Sequence, residues 1–92
     1  MVVNTSRGAV VDQLALAEAL NAGTIEGAAC DVWEHEPAEL SHPLFACANF
    51  IGSPHIAGIT VEGQNDNRTK QAQEVVRVLS GQPPRNPVVA ED

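Results

Sequence analysis

Three short apolar runs, each cut off by a polar turn, constrain this chain most. Met1-Val2-Val3 runs into Asn4-Thr5-Ser6-Arg7-Gly8, and Gly27-Ala28-Ala29-Cys30 runs into Asp31-Val32-Trp33-Glu34-His35-Glu36-Pro37. Phe50-Ile51-Gly52 runs into Ser53-Pro54-His55-Ile56-Ala57-Gly58. Each run reads as a short buried strand, the first over Val2–Thr5 and the second over Gly27–Val32. Pro54, with no amide to continue a ladder, ends the third. A helical pattern separates the first two. Asp12 is placed to cap its free amides, Leu16, Ala17 and Leu20 recur as a buried stripe with Leu14 a further candidate, and Gly23 supplies a left-handed stop. Strand, helix and strand make a βαβ unit with a right-handed crossover, which makes the predicted fold class α/β with a parallel sheet.

The polar turns set Arg7, Asp31, Glu36 and His55 just past the ends of these strands. In open α/β sheets that edge is where ligands bind. A carboxylate near an imidazole there is the raw material of general acid–base catalysis, and an arginine's planar fork suits a substrate carboxylate. Taken singly, each residue has a plainer reading. Arg7 would be an exposed turn residue, Asp31 a cap on backbone amides, and His55 a hydrogen-bonded structural histidine. Glu34, Glu36 and Glu39 would form a solvated acidic loop. His35 also lies beside Glu36 and competes with His55 as its partner, although Pro54 and the strand context favour His55. Trp33 reads as packing beneath the loop.

In this order the pieces resemble the D-isomer-specific 2-hydroxyacid dehydrogenases, in the second half of that family's nucleotide-binding domain and its C-terminal crossover. The resemblance is carried by Asn4-Thr5-Ser6-Arg7-Gly8, Val10-Val11-Asp12, Ala29-Cys30-Asp31-Val32 with Glu36-Pro37, His42-Pro43-Leu44, and Ser53-Pro54-His55-Ile56-Ala57-Gly58. It implies the C-terminal half of a Rossmann-like doubly wound parallel sheet, with three short parallel strands and their helices. It also implies hydride transfer between NAD(P)H and a small 2-keto or 2-hydroxy acid. By resemblance Arg7 holds the substrate carboxylate, His55 is the acid/base, and Glu36 orients the imidazole. Asp31 matches the residue that binds the nicotinamide carboxamide. Thr5, Ser6, Arg7, Asp31, His55, Ala57 and Gly58 are the expected contacts to NAD or NADP. The same fold also serves as an NAD-sensing corepressor, so a non-catalytic binding module or an inactive gene fragment is the alternative.

Two departures from the family pattern shape the expected domain layout. The glycine-rich phosphate loop is missing from the sequence, and so is the residue that chooses between NAD and NADP. The chain is therefore expected to be a fragment, with residues 1–80 a partial NAD-binding domain and residues 81–92 a tail belonging to the crossover. Residues 38–49 read as a loop anchored by Leu44 and Phe45, with His42 in a turn before Pro43. A second helix is expected from near Thr60, weakened in its first turn by Gly63. It carries an apolar stripe at Ala72, Val75, Val76 and Leu79 and ends at Gly81, Pro83 and Pro84. The first strand's free edge, and lost cover over the Leu16–Leu20 helix face and the Val75–Leu79 stripe, point to association, a homodimer in the intact enzyme.

Composition narrows the function classes. A formal charge of −7 with five Lys and Arg residues argues against a nucleic-acid partner. No apolar run approaches the ~18 residues of a membrane span, and no signal peptide is evident, so a cytoplasmic protein is expected. Cys30 and Cys47 read as buried free thiols, and with His35 and His42 they fit no zinc spacing, so no metal is expected.

Overall fold

The computed structural model describes residues 1–89, and Ala90–Asp92, the last of the expected tail, lie outside the described residues. Its regular elements are β1 (Val2–Asn4), α1 (Gln13–Asn21), β2 (Ala28–Cys30), β3 (Phe50–Gly52) and α2 (Val61–Leu79), with 3-10 turns at Gly8–Val10 and Pro43–Ala46. The strands form one parallel sheet in the order β1-β2-β3, with Val2 opposite Ala28 and Ala28 opposite Phe50. Two compact units divide the chain, residues 1–57 and residues from Gly58 onward.

In the first unit, the Asp12 carboxylate caps α1 by accepting from Leu14 N at 3.1 Å and Ala15 N at 3.0 Å. Gly23 closes the helix with a φ of +69°, the left-handed backbone for which glycine has no Cβ penalty. Leu16, Ala17 and Leu20 are buried in one cluster with Ala28, Cys30, Trp33, Leu44 and Cys47. The expected loss of cover on this face does not occur. Leu16 and Leu20 are 6% and 4% exposed because the Pro43–Ala46 turn packs on α1 and sets Leu44 and Cys47 against it. Leu14 is exposed and takes no part in the stripe.

β1 and β2 are shorter than the sequence implies, because chain polarity takes over at Asn4 and Asp31. Asp31 N still donates to Asn4 O at 3.0 Å, but beyond that pair both chains turn away to satisfy side chains. The segment read as a plain loop contains one ordered turn. His42 Nδ1 accepts from Leu44 N at 3.2 Å at its start, Leu44 is fully buried, and Phe45 stacks on Trp33 with ring centroids 4.9 Å apart. Both cysteines are free and buried. Side chains alternate across the sheet. Val2, Ala28, Cys30 and Phe50 belong to the α1 side, whereas Val3 and Ile51 on the other face are exposed.

The second unit is built on α2. Thr60 Oγ1 caps it by accepting from Gly63 N at 2.9 Å. A Cβ on Gly63 would stand 2.8 Å from that oxygen. Val75, Val76 and Leu79 are exposed, and Gly81 ends the helix with a φ of +78°. Pro83 and Arg85 fold back onto the helix through Arg77 Nε to Pro83 O, 2.6 Å, and Arg85 N to Glu74 Oε2, 3.0 Å. Val88 and Val89, in the expected tail, are exposed. No described helix is long and apolar enough to cross a membrane.

Candidate active site

The turn after β1 is wound around one buried side chain. Asn4, only 4% exposed, accepts through Oδ1 from Ser6 N at 3.1 Å and Ser6 Oγ at 3.0 Å, and donates from Nδ2 to Arg7 O at 3.0 Å. Both ends of an amide side chain are thereby satisfied, and the turn that presents Arg7 is fixed without using the arginine itself. Arg7 is exposed, with its guanidinium donating to Ser6 O at 2.6 Å.

Past β2, Asp31 gathers the segment that follows β3. Its carboxylate accepts from Ser53 Oγ at 2.5 Å, from Ile56 N at 2.8 Å and from Ala57 N at 2.8 Å. Its backbone carbonyl accepts from His55 N, also at 2.8 Å. The Ser53 hydroxyl, then the Ala57 and Ile56 amides, hold the Asp31 carboxyl below its ordinary range. Asp31 thus does what its plainer reading anticipated and caps backbone amides. Within this turn His55 has a φ of +57°, a left-handed conformation that is uncommon outside glycine.

Glu36 meets His55 from the loop after β2. Glu36 Oε2 lies 2.8 Å from His55 Nδ1, and Glu36 Oε1 accepts from Trp33 N at 3.1 Å. The bond to His55, then that amide, with Arg7 a lesser contributor, lower the Glu36 pKa from its usual value. The two side chains are 46% and 38% exposed, so the pair faces solvent. With Nδ1 facing a carboxylate, the imidazole's Nε2 is the nitrogen left to meet a ligand. Among the described residues Glu36 pairs with His55 and not with His35.

Two residues hold this loop. Gln13, 1% exposed at the start of α1, donates from Nε2 to Val32 O at 2.9 Å and accepts from Glu34 N at 3.2 Å. Trp33 donates from its indole to Ser53 O at 3.0 Å, tying the Glu36 loop to the His55 turn. Beside the strand ends lies a hollow of about 180 Å³ bordered by Val3, Thr5, Asp31, Ile51, Ile56 and Ala57.

Residues 1–57 match the family model described as the D-isomer specific 2-hydroxyacid dehydrogenase, NAD binding domain. The chain belongs to this family. It is 42% identical over 88 residues to a D-3-phosphoglycerate dehydrogenase of Archaeoglobus fulgidus, covering 96% of this chain and 17% of that protein. It is 44% identical over 82 residues to a glyoxylate reductase of Thermofilum pendens, covering 89% of this chain and 24% of that one. Among solved structures, an NADPH-dependent glyoxylate/hydroxypyruvate reductase from Sinorhizobium meliloti, in complex with NADP and malonate, superimposes with a TM-score of 0.77 at 34% identity. That match covers 96% of this chain and 28% of the other. The chain therefore spans between about a sixth and a little over a quarter of the length of these relatives.

The hollow beside the strand ends has apolar walls that suit a flat ring such as the nicotinamide of the cofactor that gives the family's NAD-binding domain its name. Val3, Ile51 and Ile56 give it aliphatic walls, and Asp31 borders it. Thr5 and Ala57 line the same hollow, whereas the Ser6 hydroxyl is turned to Asn4. Gly58 opens the second unit, and a Cβ on it would meet nothing. Nothing in the sequence alone pointed to roles for Gln13 or Ser53. Asn4 carried the one available signal, a polar side chain at the end of an apolar strand.

Proposed function

We propose that this chain supplies the acid/base and substrate-carboxylate residues for hydride transfer between NAD(P)H and a small 2-keto or 2-hydroxy acid. The observation that supports this reading best is the His55–Glu36 pair, 2.8 Å apart and solvent-facing at the carboxyl ends of parallel strands. A bound nicotinamide would supply the hydride for C2 in the reducing direction. His55, held through Nδ1, gives a proton from Nε2 to the C2 oxygen as the carbonyl becomes a hydroxyl, and takes it back in oxidation. Glu36 accepts from Nδ1 and fixes the ring's direction. Arg7 pairs the substrate carboxylate through its fork and draws charge from the reacting carbonyl. Thr5, Ser6, Arg7, Asp31, His55, Ala57 and Gly58 form the chain's cofactor side.

The substrate class follows from the one feature that the relatives' named substrates share, a carboxylate beside an oxidisable or reducible carbon. Residues 1–80 act as part of the NAD-binding domain and residues 81–92 as part of the crossover, in a homodimeric enzyme of the cytoplasm. The test is His55→Gln in the full-length protein. It should remove nearly all turnover of keto acids while leaving cofactor affinity within a few-fold. Unchanged turnover would reject the assignment.

A further inference from the structure

We infer that Asp31 is a positioning residue for His55, holding the histidine in its left-handed conformation so that the ring meets Glu36. This deepens the acid/base reading of His55 and rests on it. A non-glycine residue at a φ of +57° persists only where its surroundings over-determine it. Here the determinants converge on one residue. The donors from Ser53, Ile56 and Ala57 end on the Asp31 carboxylate and the donor from His55 on the Asp31 carbonyl, so the turn is held on both sides of the histidine. The two consecutive amides of Ile56 and Ala57 face the two carboxylate oxygens, the concave arrangement with which backbone binds an anion. The anion is part of the chain, and it is 5% exposed.

An aspartate is needed chemically as well as sterically. Three donors reach its side chain, and an ionised carboxylate has acceptors for all of them. An asparagine has one acceptor oxygen and would turn an NH2 group toward at least one of these donors. The turn would then relax toward ordinary backbone, and the His55 ring would leave Glu36. A contact to the nicotinamide alone has a different consequence, since losing it weakens cofactor binding and leaves the ring in place.

Asp31→Asn in the full-length protein separates these cases. It should lower kcat by about tenfold to a hundredfold, and any rise in the cofactor KM reports the separate contact to the nicotinamide. Nitrogen NMR of the imidazole should show His55 losing the Nδ1-protonated, carboxylate-bonded signature of the wild type. Ser53→Ala, which removes one donor and keeps the carboxylate, should move kcat and the NMR signature in the same direction by a few-fold. It decides the matter should Asp31→Asn fail to fold. A raised cofactor KM with unchanged kcat and an unchanged His55 signature would overturn the inference. If His55→Gln retains turnover, the acid/base reading fails, while the NMR signature still reports whether Asp31 positions the ring.

Discussion

A Cβ placed on Gly8 would stand 2.0 Å from the backbone carbon of Trp33 and 2.3 Å from Glu34 N. The turn that presents Arg7 and the loop that presents Glu36 are therefore in backbone contact, and glycine is required there for closeness. Gly8→Ala must push one of the two segments away, and both are fixed, one by Asn4 and the other by Gln13. We expect a stability loss of about 1–3 kcal/mol or more, as for overpacking in general. Chemical denaturation would measure it, and a variant as stable as wild type would show that the two segments are not held together.

Acid should weaken the fold through Asp31 and Glu36. Both carboxyls have lowered pKa values in the folded chain, Asp31 chiefly from the Ser53 hydroxyl and Glu36 chiefly from His55. A depressed carboxyl stabilises the fold above its unfolded value, about 3.9 for Asp and 4.3 for Glu, and that contribution disappears as pH falls through the folded value. Wild-type stability should therefore decline as pH drops below about 4. The decline should be shallower in Asp31→Asn, which starts lower at neutral pH. Denaturation followed between pH 6 and pH 2.5 would check this, and identical slopes in both proteins would exclude Asp31 as a contributor.

The βαβ unit was legible because its signals are local. Asp12 caps, Leu16, Ala17 and Leu20 repeat at helical spacing, and Gly23 stops the helix, all within a dozen residues. Leu44 was legible as an anchor, Trp33 as packing and Cys47 as buried, but that they cover α1 was not, since their segments have no periodicity to read. Asp31 shows the same limit at the site. Its side chain and position allowed two roles, and choosing between them depended on donors 22 to 26 residues further along the chain.

The sheet face carrying Val3 and Ile51 should drive association of the chain in isolation. These residues are 62% and 73% exposed, although parallel sheets are ordinarily covered on both faces. β1 and β3 each pair on one side only, which leaves two backbone edges open. Light scattering of the 92-residue chain should report dimers or larger species, and Ile51→Lys should shift it toward monomer. A well-dispersed wild-type monomer at high concentration would refute this.

Arg7 offers the sharpest test of the substrate side, because Asn4 holds the turn that carries it and the Arg7 side chain adds a single exposed bond to Ser6 O. Asn4 fixes that turn through Ser6 and the Arg7 carbonyl, so replacing the Arg7 side chain should leave the fold intact. In the full-length protein, Arg7→Ala is expected to lower kcat/KM for keto acids about a hundredfold, roughly 3 kcal/mol of transition-state stabilisation. Arg7→Lys should recover part of this, since an ammonium restores charge but not the two-pronged pairing. The Glu36 carboxyl should rise slightly in both binding and titration experiments on Arg7→Ala, because Arg7 contributes to holding it down. Thermal unfolding should barely change. Equal activity of Arg7→Lys and wild type would mean that charge alone suffices, and unchanged activity of Arg7→Ala would remove the arginine from the substrate site altogether.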